Sequence, residues 1–198
     1  DDGGRETLLL PMLFHPLVNG LEDSPDLELA AGATIAARYR VVERVGAGSF
    51  GEAYRCALGR GAAAGGTSGS ASGSAWGVCV KVVRQQAEAL LAAIDEVRAL
   101  RRVREADPLG AHPVQRLVDY FFHREHLFVV TAFAGASLHD VCRGFPSHGE
   151  RLAFFLGGGG LAALALQMAD ALALLHRLGV THADVKPANL CMAPGPTF

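Results

Sequence analysis

Apolar and polar positions fall in short, strand-like blocks from Tyr39 to Val130 and turn helical beyond Thr131. Tyr39–Val45 and Glu52–Leu58 read as strands joined by a glycine-rich turn, and Trp76–Val83 reads as a third strand. Gln85 to Arg104 carries no Gly or Pro and is rich in Ala, Leu, Glu and Arg, which predicts a helix ended by Asp107-Pro108 through Pro113. Val114–Phe122 and His126–Val130, rich in Val, Phe and Tyr and parted by polar His123–Glu125, predict a hairpin of two further strands. Ser137 to Asp140 offers an N-cap-like helix start, and Gly157–Gly160 interrupts the helical pattern beyond it. Leu161–Leu178 is apolar around nearly its whole circumference, the pattern of a helix buried on several sides, with Gly179 as its stop. The fold class expected is α+β: a five-stranded antiparallel sheet with one helix, followed by helices.

Composition sharpens this picture at two places. Of 198 residues 24 are glycine, above the usual ~7%, and many lie in the Gly/Ser-rich stretch 59–75, which reads as a flexible insertion between strands. Residues 1–37 carry weak signals; Leu8 to Pro16 has the look of a docking segment, but a poorly ordered extension is the stronger expectation. The domains expected are therefore 1–37, 38–133 and 134–198. Lys+Arg 18 against Asp+Glu 20 leaves no basic field for nucleic acid. Cys56, Cys79, Cys142 and Cys191 show neither metal nor disulfide spacing, which suits an intracellular setting, cytoplasmic or nuclear. The most apolar stretch is interrupted by Gln167, Asp170, His176 and Arg177, too polar for a span of roughly 20 apolar residues, so no membrane partner is expected.

Gly46-Ala47-Gly48-Ser49-Phe50-Gly51 is a weak signal alone, since GxGxxG also marks dinucleotide folds. Here the glycines join two strands rather than a strand and a helix, so they belong to a hairpin able to lie close over phosphate groups. Lys81 ends an apolar strand; it either snorkels to solvent or meets a partner. Ala89, Ala93, Glu96, Leu100 and Val103 form one helical stripe, whereas Asp95 shares its side with Arg98 and Arg102. Glu96 thus points inward, with Lys81 or an arginine of its own helix as its cation. In Val180–Leu190, His182, Asp184, Lys186 and Asn189 stand in a loop between apolar anchors. That is either a solvated surface loop or a set suited to phosphoryl transfer, with Asp184 as proton acceptor, Lys186 as charge balance and Asn189 as magnesium ligand.

In this order, from Tyr39 to Leu190, these parts resemble the eukaryotic protein kinase family. The resemblance implies a small lobe and the start of a helical large lobe. It also implies ATP and Mg2+ as cofactors and transfer of the γ-phosphoryl group to Ser/Thr or Tyr hydroxyls of protein substrates. It assigns Val45, Gly46, Ala47, Gly48, Ser49, Phe50, Gly51, Ala53, Cys79, Lys81, Glu96, Thr131 and Phe133 to nucleotide binding, with Ala132 to Ala134 as the hinge. Asp184 and Lys186 fall at catalytic positions and Asn189 at a metal position. Glu96–Leu100, His126–Val130 and Ser137–Asp140 look like the dual-specificity tyrosine-regulated kinases of the CMGC group. Ala53, Cys79 and Ala183 depart from common family residues, and only nine residues follow Asn189, with no DFG aspartate among them. A fragment inactive by itself is therefore expected. The alternatives are a pseudokinase or nucleotide-binding scaffold, and a small-molecule phosphotransferase of similar fold, which Lys186-Pro187 and the five-strand lobe oppose.

Overall fold

The computed structural model describes residues 8–13, 24–59 and 77–192. Trp76 and, except for Gly59, the Gly/Ser-rich insertion lie outside the described residues. Two compact units emerge, one holding the sheet and most of the first long helix, the other comprising residues 102–116 and those from Ala134 onward.

The first unit is built on six antiparallel strands among the described residues. They are β1 (Thr34–Ile35), β2 (Tyr39–Gly48), β3 (Gly51–Leu58), β4 (Val78–Val83), β5 (Leu117–His123) and β6 (His126–Ala132), in sheet order β1-β2-β3-β4-β6-β5. The sheet has one strand more than the sequence predicts, because the short β1 pairs with β2 through Thr34↔Arg40 and Ile35↔Tyr39. Period-two burial decides which face each residue takes. Tyr54, Cys56, Val78, Val80, Val82, Phe128 and Val130 form one core with Tyr39, Val41 and Phe121. Tyr39 of β2 stacks on Phe121 of β5 at 6.1 Å between ring centroids, although three strands separate β2 from β5 in the sheet. The sheet therefore curls until its two ends meet. Arg38 fastens that seam, donating to Asp119 at 2.8 Å and lying 4.6 Å over the Phe121 ring.

On the other face sits α1 (Ala87–Ala106), two residues later at each end than the sequence predicts. Ala89, Ala93 and Val97 are buried with Val83, Leu117, Leu127 and Val129. The side chains that α1 buries at 89 and 93 are each a single methyl group. The predicted strand from Val114 begins only at Leu117. Val114 to Arg116 belong to the second unit, where the Arg116 guanidinium donates to the Leu109 and Pro108 carbonyls and so fixes the turn after α1.

Of the extension expected over 1–37, residues 8–13 and 24–37 are among those described. Leu13 donates its N–H to Phe122 and Phe122 donates to Pro11, at 2.8 and 2.7 Å, which lays 8–13 along the outer edge of β5. Leu27 is buried in the curled core, and the Gln85 N–H donates to Pro25. An edge strand leaves backbone groups unpaired, and this segment satisfies those of Phe122.

In the second unit α2 (Leu138–Gly144) and α3 (His148–Leu156) are each N-capped by a serine, Ser137 and Ser147. α4 (Gly160–Arg177) stops in a Schellman motif: Gly179, at φ +69°, donates to His176, and Val180 donates to Leu175. The all-round burial expected of this helix is not found. Among the described residues only Leu174 and Leu175 of α4 are buried, with Val103, Val114, Leu178 and Val180 as neighbours, while Leu161 and Leu166 are 51% and 71% exposed. Too few described elements pack on α4 to cover a helix apolar on every side. Two-residue strands β7 (Ala136–Ser137) and β8 (Cys191–Met192) pair and close the loop between α4 and β8. Among the described residues no single helix is long and apolar enough to cross a membrane.

Candidate active site

The glycine-rich segment is the tip of the β2–β3 hairpin, with Gly48 opposite Gly51 and Ser49-Phe50 as the turn. The register of β2 shifts twice on the way to this tip, between Val41 and Glu43 and between Arg44 and Gly46. Val45 and Phe50 are exposed. The three glycines differ in kind. Gly51 has φ +134°, and a Cβ there would strike the backbone of Val82 on β4 and of Arg84 just after it. A Cβ at Gly48 would meet nothing within 4 Å, and one at Gly46 only Ala53, at 3.8 Å. Gly51 is required by the fold; Gly46 and Gly48 leave room above the sheet that no described part of the chain fills. Arg84 steadies the tip, donating from its guanidinium to the Ser49 carbonyl and from its backbone to Phe50, both at 3.1 Å.

Ala53, Cys79, Lys81, Val129 and Thr131 lie together on the sheet face below the tip, through the pairs Ala53↔Lys81, Cys79↔Thr131 and Lys81↔Val129. Lys81 Nζ donates to Glu96 Oε2 of α1 at 2.6 Å. Asp95 instead faces solvent, 73% exposed, and pairs with Arg98. The helical period separates the two carboxylates as the sequence predicts. Lys81 and Glu96 side chains are 31% and 38% exposed, so this pair adds little to stability and its value lies in where it holds the ammonium. On the opposite face, in the curled core, the Cys56 thiol is buried and pushed up to about 12, first by desolvation, which leaves it unreactive.

Thr131 is buried near the end of β6, and the Phe133 N–H after it donates to Gly77 at 3.3 Å. Arg55 was not anticipated from the sequence. Its guanidinium bonds Glu43 at 2.7 Å and stands 5.6 Å from the Phe133 ring centroid. Its place two residues after Ala53, on the same strand face, is the sequence signal for it.

In the second unit the loop after α4 is exposed from Thr181 to Asn189 and closes with a 3-10 turn at Pro187–Asn189. It brings three of the candidate residues together. Lys186 Nζ lies 2.9 Å from Asp184 Oδ2, and Asn189 Nδ2 donates to the Asp184 carbonyl and to Oδ2, at 2.9 and 2.8 Å. The Lys186 bond first, then that of Asn189, holds the Asp184 carboxyl below its ordinary value of 3.8, so it is ionised at neutral pH. Ala183 has φ +58°, an uncommon conformation for a residue with a Cβ, and the Asp184 N–H donates to the His182 carbonyl at 2.8 Å. Asn189 Nδ2 is thus committed to Asp184. Such a set can accept a proton, balance an anion and ligate a metal.

The chain is 28% identical over 171 residues to the DYRK-family kinase pom1 of Schizosaccharomyces pombe, covering 86% of this chain and 14% of that protein. It is 30% identical over 172 residues to the serine/threonine-protein kinase ppk5 of the same organism, covering 87% and 18%. Its homologues are protein kinases of the DYRK and CLK families. Human dual specificity protein kinase CLK1 is 28% identical over 160 residues, 81% of this chain and 29% of that protein. No protein-family model matches the chain. The chain spans less than a third of the length of these relatives. The α+β architecture, with a curled antiparallel sheet followed by helices, fits a kinase small lobe and the start of a large lobe.

Proposed function

We propose that these residues form the nucleotide-binding part and catalytic loop of an ATP-dependent protein kinase that phosphorylates Ser/Thr or Tyr hydroxyls of protein substrates. The observation that carries the reading is the Lys81–Glu96 pair, an ammonium held at 2.6 Å on the open sheet face under a glycine-rich hairpin. In this reading Lys81 binds the α- and β-phosphates, and the tip from Val45 to Gly51 covers them, aided by the room that Gly46 and Gly48 leave. Thr131 and the backbone of Ala132–Ala134 border the adenine, with Ala53 and Cys79 on the sheet side. Asp184 accepts the substrate hydroxyl proton, Lys186 balances charge on the moving phosphoryl group, and Asn189 supplies an oxygen to Mg2+. The metal neutralises phosphate charge. An intracellular setting, cytoplasmic or nuclear, accords with free cysteines at 56, 79, 142 and 191.

The test separates binding from transfer. Titration with a fluorescent ATP analogue in magnesium is expected to show lost affinity in Lys81→Met and unchanged affinity in Asp184→Asn. Transfer from radiolabelled ATP to a basic protein, measured in the longest natural form of the protein, is expected to fall about 10²–10⁴-fold in Asp184→Asn. Turnover by Asp184→Asn equal to the unaltered protein would remove Asp184 from the chemistry. Residues 1–198 alone are read as binding nucleotide without turnover, because Asn189 is one ligand where magnesium usually takes one or two carboxylates besides phosphate and water. Magnesium-dependent turnover by the 198-residue chain would overturn that part.

A further inference from the structure

The position of Glu96 depends on how α1 is seated, and α1 is lightly held. Its buried contacts with the sheet come from Ala89, Ala93 and Val97, and two of these carry a single methyl group. The ion pair to Lys81 is too exposed to fix a helix by itself. Two leucines from far away in sequence join the same cluster. Leu8 and Leu10 pack against the residues that seat α1, alongside Leu90, Ile94 and Phe122. They reach it because Leu8–Leu13 runs parallel to β5, with Met12 opposite Phe122 and backbone bonds on either side of it. Over its first three residues the segment alternates as a strand does, Leu8 and Leu10 half-buried and Leu9 76% exposed; beyond them Pro11 and Met12 are both exposed, and Leu13 packs on the curled core instead.

We infer that Leu8–Leu13 is an added edge strand whose leucines at 8 and 10 are positioning residues, wedging α1 so that Glu96 reaches Lys81. The consequence for nucleotide rests on the kinase reading above; the seating of α1 does not. Glu96 lies three residues after Ala93 and one before Val97, so any release of this face moves its carboxylate directly. A leucine side chain buries several times the apolar surface of an alanine, and removing one from this cluster removes a large part of what holds the helix.

The alternation supplies its own control, since Leu9→Asp places the same charge in the same segment on the side facing solvent. Amide hydrogen exchange is followed in the full chain without nucleotide, comparing α1 amides from Leu90 to Leu100 with those of Val80 and Val130 in the curled core. Leu10→Asp is expected to speed α1 exchange by about tenfold or more, the order that losing one half-buried leucine gives, with Val80 and Val130 unchanged. It also weakens binding of a fluorescent ATP analogue with magnesium, whereas Leu9→Asp leaves both measurements within about twofold. Equal effects of the two substitutions, no effect of Leu10→Asp, or equal acceleration of α1 and the core strands would each overturn the inference. Should the unaltered chain bind no nucleotide, the kinase reading fails while the exchange contrast still decides the seating of α1.

Discussion

Replacing Gly51 and Gly48 by alanine separates a glycine the fold needs from one that leaves room for something else. At Gly51 the new Cβ would lie 3.0 Å from Val82 C and 3.1 Å from Arg84 N, and nearer still to the Val82 carbonyl oxygen. These are backbone atoms of the neighbouring strand and of the residue that follows it, and they cannot swing aside as a side chain would. A φ of +134° adds conformational strain of about 1–3 kcal/mol. Relief requires β3 to part from β4 near Gly51↔Val83, loosening one or two ladder bonds worth about 0.5–1.5 kcal/mol each. The sum is about 1.5–6 kcal/mol, a large share of the stability of a small lobe, and corresponds to a fall in Tm of at least about 6 °C. Gly48→Ala meets nothing within 4 Å and has no positive φ. Its stability is expected to hold or to rise by up to about 1 kcal/mol, through the lower entropy of the unfolded chain. Nucleotide affinity is nevertheless expected to fall. Urea denaturation followed by circular dichroism, beside titration with a fluorescent ATP analogue, reads both properties. A Gly51→Ala protein within about 1 kcal/mol of the unaltered chain, or a Gly48→Ala protein as destabilised as Gly51→Ala, would refute the reasoning.

Two further outcomes concern the second unit. Because its folded pKa is depressed, Asp184 keeps its charge as pH falls past 3.8, and its bonds to Lys186 and Asn189 are lost only as pH passes through that lower value. Lys186→Ala is expected to move the Asp184 carboxyl titration, followed by carbon NMR, up toward 3.8; an unmoved midpoint would show that Lys186 is not the cause. Gly179→Ala is expected to cost about 1–2 kcal/mol at the end of α4, purely from its left-handed φ, since a Cβ there meets nothing within 4 Å. Equal denaturation midpoints for Gly179→Ala and the unaltered chain would count against it.

Period and local chemistry determined much of this protein from sequence alone. Short strand-like runs bounded by turn residues placed β2 to β6, the helical stripe distinguished Glu96 from Asp95, and Gly179 ended α4, because each depends on neighbours within a few residues. The close spacing of Asp184, Lys186 and Asn189 made their clustering legible in the same way. Tertiary structure decided what rests on partners distant in sequence. The stacking of Tyr39 on Phe121 curls the sheet across 82 residues of chain, a relation no window of sequence contains. Leu8 and Leu10 read as a weak extension because a lone edge strand has little local signal; its stability comes from the β5 edge and the α1 cluster. The apolar circumference of α4 predicted burial, but burial is a property of neighbours, and the described elements cover Leu174 and Leu175 while leaving Leu166 to solvent. Arg55 escaped notice for the same reason, since its two partners, Glu43 and Phe133, are brought to it by strand pairing and by the chain leaving β6.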